Sequence, residues 1–382
     1  MPVSEAIRSH YDMEQHMIKR VSAKHGIVHR EEKSYLGYFG WPTVCRTPAG
    51  ELIVAASGFR NSHICPWGKT TIFRSKDEGR TWSAPEIITD TPLDDRDAGI
   101  ISLGGKKLLA SWFISDIRVY TKMYKGSSVW MNTVALWNDD LAHWQGSYVR
   151  MSENGESWGE IYPSPVSAPH GPTLRADGTL LYFGKRFATV VKGKYQYDTN
   201  KYGKGNIEAW TSKDGKKWKQ LGTVPLPKDW KHDNFNEPHA LDLGGGHILG
   251  LIRYNDYSIK DAEGSVLTLL QTDSFDGGKT WSEAKPLGIH GAPPHLMRHS
   301  SGTIVCSYGY RKKPFGERAM ISRDDGKTWE TDIIINDRGP TGDLGYPSSV
   351  ELADGSIFTA YYQQYRKDEP CSVLWSRWKL PR

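Results

Sequence analysis

A hairpin-like segment recurs six times along this chain of 382 residues, and this repetition constrains the fold more than any other sequence feature. Each copy has a β-rich run, a turn of small residues and a second apolar run. A glycine in each turn permits the positive φ that short hairpin turns require. The copies occupy residues 43–57, 99–113, 171–185, 239–253, 296–310 and 348–362, and their turn glycines are Gly50, Gly105, Gly178, Gly246, Gly302 and Gly355. Successive copies begin roughly 50 to 75 residues apart, which leaves room for two further strands each, the size of a four-stranded propeller blade.

A second repeat, the pattern S-x-D-x-G-x-T-W, follows the hairpins in register. It is intact at residues 75–82, 274–281 and 322–329. Weaker forms lie at 212–218, which is one residue short, and at 138–144, which keeps only the aspartate and the tryptophan. In this pattern we expect the aspartate to cap its own turn and the tryptophan to pack between sheets. The aspartates of the intact copies, Asp77, Asp276 and Asp324, are therefore predicted to be structural and not catalytic.

Together the two repeats predict an all-β fold, a six-bladed β-propeller of four-stranded antiparallel blades, with residues 1–382 as a single domain. The composition agrees, because 39 Gly, 21 Pro, 15 Trp and 19 Tyr suit many short strands joined by tight turns. The sixth hairpin is not followed by the second pattern. We expect its blade to be completed by residues 375–380 and by an N-terminal strand near residues 26–30, a closure that joins the chain ends and removes sheet edges.

Charge and cysteine usage narrow the class of function. A net charge of +5 from 49 basic and 44 acidic residues is spread along the chain and gives no nucleic-acid footprint. Residues 1–20 contain no apolar run of signal-peptide length, and nothing approaches a membrane span, so a cytoplasmic protein is expected. The four cysteines have no metal-ligand spacing and are predicted to be reduced, buried thiols: Cys45, Cys65, Cys306 and Cys371.

The innermost strands of a propeller converge on a central channel, so residues at the start of every first strand share one face. Titratable and aromatic groups crowd these positions, whereas the strand bodies are apolar. Glu, His, Arg and Tyr side chains that converge on one rim are typical of a binding or catalytic pocket. The residues before the hairpins include Trp41, Arg96, Asp97, His170, Glu237, His239, His295 and Tyr346, and the ends of the second strands add Arg60, Asp116, Lys185, Arg253, Arg311 and Gln363.

Through these hairpins and Asp–Trp patterns, the sequence resembles the sialidase superfamily over essentially its whole length. The resemblance implies an arginine triad that holds the substrate carboxylate, a tyrosine–glutamate pair that acts as nucleophile, and an aspartate acid/base near the first blade. It assigns Tyr346 and Glu237 to the nucleophile pair and Arg253 to the triad. Arg318 resembles another triad arginine, with Arg311 as its nearby rival.

The first blade departs from the sialidase pattern in two places. Trp41 stands where the family has its first triad arginine, and Arg96 is expected to supply the missing charge. Arg60 resembles an auxiliary arginine of this blade, but the loop that follows it, residues 61–67, contains no carboxylate. His63 is the only good proton-transfer group in that loop. Both departures affect groups that define sialidase chemistry.

The leading hypothesis is an exo-acting glycoside hydrolase that removes a terminal carboxylated sugar from an acidic oligosaccharide, with no metal and no cofactor. Tyr346 and Glu237 are the expected nucleophile pair, and either His63 or Asp97 is the expected acid/base. The expected substrate-binding residues are Trp41, Arg60, Arg96, His170, His239, Arg253, His295, Arg311 and Arg318.

Two other functions remain open on the same residues. One is a uronate-type lyase, in which a cation neutralises the carboxylate and a histidine or tyrosine removes the adjacent proton. The candidates for that role are His170, His239, His295 and Tyr346. The other is a non-catalytic propeller that binds acidic glycans, which the missing arginine and aspartate favour.

Overall fold

A computed structural model describes residues 19–120, 139–186, 189–191, 194–196, 206–261 and 264–381. Six sheets, each built on an antiparallel set of four strands, are arranged so that the first strands of neighbouring sheets contact one another. The fold is therefore a six-bladed β-propeller, as the two sequence repeats predicted. In the described part of the chain, no helix is long and apolar enough to cross a membrane.

The strand bounds follow the blade order. Blade one contains Tyr38–Arg46, Leu52–Arg60, Lys69–Ser75 and Glu86–Thr89, and blade two contains Asp94–Gly104, Lys107–Ser115, Gly146–Ser152 and Ile161–Ser164. Blade three has a split first strand, Val166–Ser167 and Thr173–Leu174, followed by Leu180–Arg186, Ile207–Ser212 and Lys219–Thr223. Blade four contains Phe235–Gly244, His247–Asp261, Gly264–Ser274 and Lys285–His290, and blade five contains Pro294–Arg298, Ile304–Tyr310, Gly316–Ser322 and Glu330–Asn336. Blade six contains Gly345–Glu351, Ile357–Gln364, Cys371–Trp378 and, as its outer strand, Ala23–His29.

Short elements complete the described structure. The two-residue strand Lys19–Arg20 runs parallel to the outer strand of blade five. A small hairpin, Thr189–Val191 with Lys194–Gln196, lies between the second and third strands of blade three. Among the described residues, three 3-10 helices span Ile117–Tyr120, Asp139–Trp144 and His232–Asn234.

The N-terminal strand closes the sixth blade, as expected from the sequence. Ala23–His29 pairs antiparallel with Cys371–Trp378, which is the third strand of that blade. All six predicted turn glycines have a positive φ, from 54° at Gly105 to 89° at Gly246. Because other residues adopt this conformation only under strain, the glycines fix where each hairpin turns.

The aspartates of the second repeat cap their own turns. Asp77 Oδ1 accepts hydrogen bonds from the backbone N–H groups of Arg80 and Thr81 at 3.0 and 2.9 Å, and Asp77 Oδ2 accepts one from the Thr81 hydroxyl at 2.6 Å. The Trp82 indole then packs on Phe358 of the adjacent blade, with ring centroids 5.9 Å apart. The aspartate of the pattern therefore fixes the turn, and the tryptophan contributes to packing between blades.

The assignment of one of the two weaker forms to residues 138–144 was wrong. Residues Asp139–Trp144 form a 3-10 helix in the connection before the third strand of blade two. The capped turn of that blade follows the third strand instead, where Asn154 Oδ1 accepts from the backbone N–H groups of Glu156 and Ser157, both at 2.9 Å. An amide oxygen can accept these bonds as a carboxylate oxygen does, so the turn is preserved although the search for aspartate missed it.

The hydrophobic core is divided among the interfaces between blades. Six clusters of buried apolar side chains each join two neighbouring blades. Phe39 and Val54 of blade one, for example, pack with Phe358 and Val373 of blade six. All four cysteines are free and buried, as predicted. Because the apolar side chains pack between blades, the first strands can carry polar groups at the centre of the propeller.

Candidate active site

Four blades share one irregularity near the start of the first strand. Trp41, Asp97, Glu237 and Tyr346 have φ values between 45° and 55°, in the left-handed region that such side chains rarely adopt. Each lies where the register to the second strand shifts, which marks a β-bulge. Strain of this kind costs about 1–3 kcal/mol per residue, clusters at functional sites, and re-aims side chains. The bulges bring four side chains predicted from the sequence to one end of the central channel.

Tyr346, Glu237 and Arg253 form a hydrogen-bonded triad there. Tyr346 Oη donates to Glu237 Oε1 at 2.6 Å. Arg253 Nη1 donates to Glu237 Oε2 and to Tyr346 Oη, the latter at 3.2 Å, while Arg253 Nη2 donates to Asn255 Oδ1 at 3.2 Å. Tyr346 is 5% exposed, whereas 22% of the Glu237 side chain is exposed. Solvent therefore reaches the triad through the glutamate.

The protonation states of the triad follow from its contacts. Burial raises the pKa of Glu237, but the Arg253 charge and the hydrogen bond from Tyr346 outweigh burial, and the net pKa lies below its ordinary value. Burial, reinforced by the negative charge of Glu237, raises the pKa of Tyr346 well above its ordinary value. The triad thus holds a neutral phenol beside an ionised carboxylate that can accept the phenolic proton.

The structure separates the two rival arginines of blade five. The guanidinium carbon of Arg311 lies 5.7 Å from the centroid of the Tyr346 ring. Arg318 instead stacks on Tyr310 at 4.4 Å and donates to three backbone carbonyls at 3.1, 3.3 and 3.5 Å. Arg311, and not Arg318, therefore lies beside the group formed by Tyr346, Glu237 and Arg253.

Trp41 organises the side of the site formed by blade one. The ring is 1% exposed and lies against two guanidinium groups, with Arg60 Cζ 4.8 Å and Arg96 Cζ 4.4 Å from the ring centroid. Its other neighbours include His63 and Tyr346, with ring centroids 5.0 and 6.4 Å away. The aromatic residue that replaces an expected arginine therefore holds two arginines next to the site through cation–π contacts.

Arg60 is less accessible than the sequence suggested. Its side chain and that of Asp94 are fully buried, and they form a bidentate pair with Nη1–Oδ1 and Nη2–Oδ2 distances of 2.5 and 2.8 Å. Arg60 Nη2 also donates to the His63 carbonyl at 3.2 Å. Arg60 supports Trp41 and the loop that carries His63 from behind, where a ligand does not reach it.

Asp97 is a buried carboxyl group beside the triad. It is 6% exposed, and its Oδ1 has no hydrogen-bond partner among the described residues. Burial raises its pKa to about 7; the charge of Arg96 opposes this shift and the charge of Glu237 adds to it. Asp97 is therefore placed within electrostatic reach of the triad in a state that can donate a proton near neutral pH.

One carboxylate of the site was missed by sequence reasoning. His63 Nδ1 lies 3.0 Å from Asp343 Oδ1, and Tyr38 Oη and Tyr362 Oη also donate to Asp343 at 3.0 Å. Asp343 lies in the connection to the first strand of blade six, outside both repeats. The available signal was its position three residues before Tyr346, in a segment that must reach the same rim.

A separate cluster is formed by His239 and His295, on the first strands of blades four and five, and by His170, in the turn that splits the first strand of blade three. Their ring centroids are 4.7–5.8 Å apart, and all three side chains are buried. Within the described ranges, no hydrogen bond or ring contact links this cluster to the triad or to His63. The structure therefore does not bring these histidines into contact with the triad, and their role in substrate binding stays a prediction.

The tautomers of this cluster make it a poor metal site. The Nδ1 atoms of His239 and His295 accept hydrogen bonds from backbone N–H groups at 3.0 and 3.3 Å. The proton of each neutral ring must then lie on Nε2, which removes that nitrogen as a ligand. Over the part of the chain that the structure describes, no group of three or more His, Cys, Asp or Glu residues could hold a metal ion.

The chain matches no protein-family model, and no curated protein matches it in sequence. A solved protein of unknown function from Dyadobacter fermentans DSM 18053 matches with a TM-score of 0.69 and 22% identity, over 94% of this chain and 99% of that one. The NanB sialidase from Streptococcus pneumoniae matches with a TM-score of 0.58 and 14% identity, over 93% and 70% of the two chains. The GH93 α-L-arabinofuranosidase of Fusarium graminearum matches with a TM-score of 0.60 and 14% identity, over 94% and 98%.

At these identities the likeness is one of fold. It confirms the predicted resemblance at that level, since the chain has a six-bladed propeller fold like that of the sialidase at low sequence identity. The same architecture is found in the arabinofuranosidase, so the fold alone does not select a sugar.

Proposed function

We propose that this protein is an exo-acting glycoside hydrolase that removes a terminal sugar bearing a carboxylate. The observation that carries the proposal is the 2.6 Å hydrogen bond from Tyr346 to Glu237, with Arg253 bonded to both side chains. Structural neighbours of this fold include a sialidase and an arabinofuranosidase, which supports glycoside hydrolysis as the reaction class.

A phenol suits attack on a sugar carbon that carries a carboxylate, because a neutral nucleophile is not repelled by the substrate's charge. As the Tyr346 oxygen bonds to that carbon, Glu237 accepts the phenolic proton and Arg253 stabilises the developing negative charge. The bulge at Tyr346 fixes the backbone that presents the ring, which reduces the ordering needed before attack. A covalent glycosyl–tyrosine intermediate is the expected consequence.

Arg253 and Arg311 are the proposed clamp for the substrate carboxylate. Guanidinium groups bind carboxylates through paired hydrogen bonds with well-defined geometry. Burial raises the pKa of Glu317, the carboxyl group next to Arg318 in the chain, well above its ordinary value, and the charges of Arg311 and Arg318 oppose this shift. Arg96, stacked on Trp41 and 3.5 Å from Asp94 Oδ2, is a third cation near the site.

Hydrolysis is preferred over elimination because the contacts of three of the four candidate bases, all except Tyr346, do not favour a lyase. His170, His239 and His295 are buried and contact one another. A base for elimination has to reach the proton beside the carboxylate from the substrate cavity. The contacts of these residues therefore support a packing role.

A product assay on acidic glycans tests the proposal. The purified chain is incubated with glycosides of N-acetylneuraminic acid and of glucuronic acid, and products are followed by mass spectrometry and ultraviolet absorption. Hydrolysis releases a saturated sugar acid, and the Tyr346→Phe variant should release none. An unsaturated, absorbing product would overturn hydrolysis in favour of a lyase. Binding without any product, unchanged in the Tyr346→Phe variant, would instead identify a glycan-binding propeller.

A further inference from the structure

We propose that His63 and Asp343 form the acid/base pair of this site, with His63 transferring the proton and Asp343 acting as a positioning residue. The inference rests on the proposed hydrolysis and deepens it, because the sequence left His63 and Asp97 as equal candidates. It also gives a role to a carboxylate that neither sequence repeat marks.

The geometry of the pair is that of an oriented imidazole. His63 Nδ1 is 3.0 Å from Asp343 Oδ1, and 44% of the His63 side chain remains exposed. A carboxylate accepts hydrogen bonds only, so the Nδ1 proton points to Asp343 and Nε2 is left to exchange a proton with a ligand. Asp97 lacks such an orienting partner among the described residues.

Asp343 is itself held in place from several directions. Tyr38 Oη and Tyr362 Oη each donate to it at 3.0 Å, and Cys371 Sγ lies 3.6 Å from its Oδ2. Burial raises the pKa of Asp343, but the hydrogen bond and charge of His63 outweigh burial and lower the pKa to about 2. The carboxylate thus stays ionised across the range in which an imidazole titrates.

Trp41 fixes the relation between the proton donor and the nucleophile. Its ring contacts both His63, at a centroid distance of 5.0 Å, and Tyr346, at 6.4 Å. Arg96 Nη1 donates to the His63 carbonyl at 3.1 Å and so ties the His63 loop to the same tryptophan. The two reactive groups therefore contact one buried aromatic residue; in the proposed reaction Tyr346 attacks the sugar carbon and His63 protonates the leaving oxygen.

The proton balance closes without a further reactant. In the first step the imidazolium of His63 gives its Nε2 proton to the leaving oxygen as the glycosidic C–O bond breaks and the Tyr346 O–C bond forms, while Glu237 takes the phenolic proton. In the second step neutral His63 takes a proton from water as the water oxygen bonds to the sugar carbon. The Tyr346 O–C bond breaks, and Glu237 returns the proton to the tyrosine.

The test compares leaving groups. Each variant is assayed on the 4-nitrophenyl glycosides of N-acetylneuraminic acid and glucuronic acid, whose leaving group needs little protonation, and on disaccharides in which the same acids are linked to galactose. Asp343→Asn should lower kcat on the disaccharide about 10- to 100-fold, and His63→Gln about 10²- to 10⁴-fold. Both should lose far less on the 4-nitrophenyl glycosides. Asp354→Asn, at a surface turn of the same blade, is the control for a general effect of removing a carboxylate.

A pH profile separates His63 from Asp97. Partial burial of the imidazole lowers the pKa of His63, whereas the hydrogen bond to Asp343 raises it. The charges of Arg96 and Arg311 lower it again, so the net pKa lies below 6.5. Tyr38 Oη, the other polar group against this ring, is 3.2 Å from Nδ1. Because the imidazolium is the acid, kcat/KM should fall as pH rises through this pKa. In Asp343→Asn the raising contribution is lost, so that limb should move to lower pH.

Two results would overturn the proposal. One is an equal loss on both substrate types in Asp343→Asn with no movement of the alkaline limb, which indicates a structural role. The other is an alkaline limb near pH 7 that disappears in Asp97→Asn, which makes Asp97 the acid. Failure of the proposed function looks different: the wild-type protein would cleave neither substrate type, or Tyr346→Phe would cleave both as well as wild type.

Discussion

Two arginine–carboxylate pairs, one between blades one and two and one within blade four, show how the same chemistry serves opposite purposes in this propeller. Arg60 and Asp94 are both fully buried and make two direct contacts, at 2.5 and 2.8 Å. Arg253 and Glu237 share one contact, and Glu237 keeps its second oxygen for Tyr346. The Glu237 side chain is also 22% exposed.

The difference lies in what remains available after pairing. In the Arg60–Asp94 pair, here called the closed pair, the guanidinium contacts both carboxylate oxygens, and burial leaves no route for a ligand. In the Arg253–Glu237 pair, the open pair, one carboxylate oxygen contacts the arginine and the other accepts from the phenol, and solvent reaches the carboxylate. We infer that the closed pair stabilises the scaffold. The open pair keeps its groups available for reaction and contributes little net stability.

The largest effect is expected at the open pair. Tyr346→Phe removes the proposed nucleophile and the hydrogen bond to Glu237 but keeps the ring, so kcat/KM should fall by at least about 10³-fold with little change in fold. Steady-state kinetics and circular dichroism check both parts. Wild-type protein should be incubated with a fluorinated, activated glycoside of the sugar acid that it cleaves. The peptide that contains Tyr346 should then gain the mass of one sugar. A variant that keeps more than a tenth of wild-type activity would show that the open pair is not catalytic.

The closed pair should dominate stability instead. Asp94→Asn leaves the Arg60 charge buried without its ionic partner, and we expect a loss of about 3–5 kcal/mol in the free energy of unfolding. Glu237→Gln is the matched change at the open pair, and it should cost much less stability while abolishing activity. Urea unfolding of both variants makes the comparison. Equal stability losses would remove the distinction between the two pairs.

The fold was predictable because its signals are local and repeated. Each hairpin needs a residue with positive φ at its turn, and glycine marks that position in all six copies. The capped turn of blade two escaped because Asn154 performs the role of the aspartate. A search for any residue that can accept these hydrogen bonds, asparagine as well as aspartate, would have found this turn.

The site was only partly predictable because its members come from different blades. Tyr346, Glu237 and Arg253 converge as the sequence suggested. Arg311 and Arg318 lie close together in the sequence, and only their contacts decide between them. Asp343 sits in a connection with no repeat to mark it, so its contact with His63 follows from closure of the propeller and not from spacing.

The histidine cluster should respond to pH where the open pair does not. Burial lowers the pKa of His239 from 6.5 to about 4, so the folded state takes up a proton less readily than the unfolded state. Stability is then fully present above pH 6.5 and is lost as pH falls toward 4, by up to about 3 kcal/mol for this residue. His239→Asn, which keeps an acceptor for the backbone N–H, should flatten this dependence in urea unfolding at several pH values. An unchanged slope would place the acid sensitivity elsewhere.

The smallest effect is expected at the capped turns, which lie outside both pairs. In Asp77→Asn an amide oxygen can still accept from the backbone N–H groups of Arg80 and Thr81, as Asn154 does in blade two. The stability loss should be below about 1 kcal/mol, whereas Asp77→Ala, which removes every acceptor, should cost about 1–2 kcal/mol. Activity should be the same in both variants, measured beside urea unfolding. If Asn proved as damaging as Ala, the negative charge and not the acceptor geometry would hold the turn, and blade two would need another explanation.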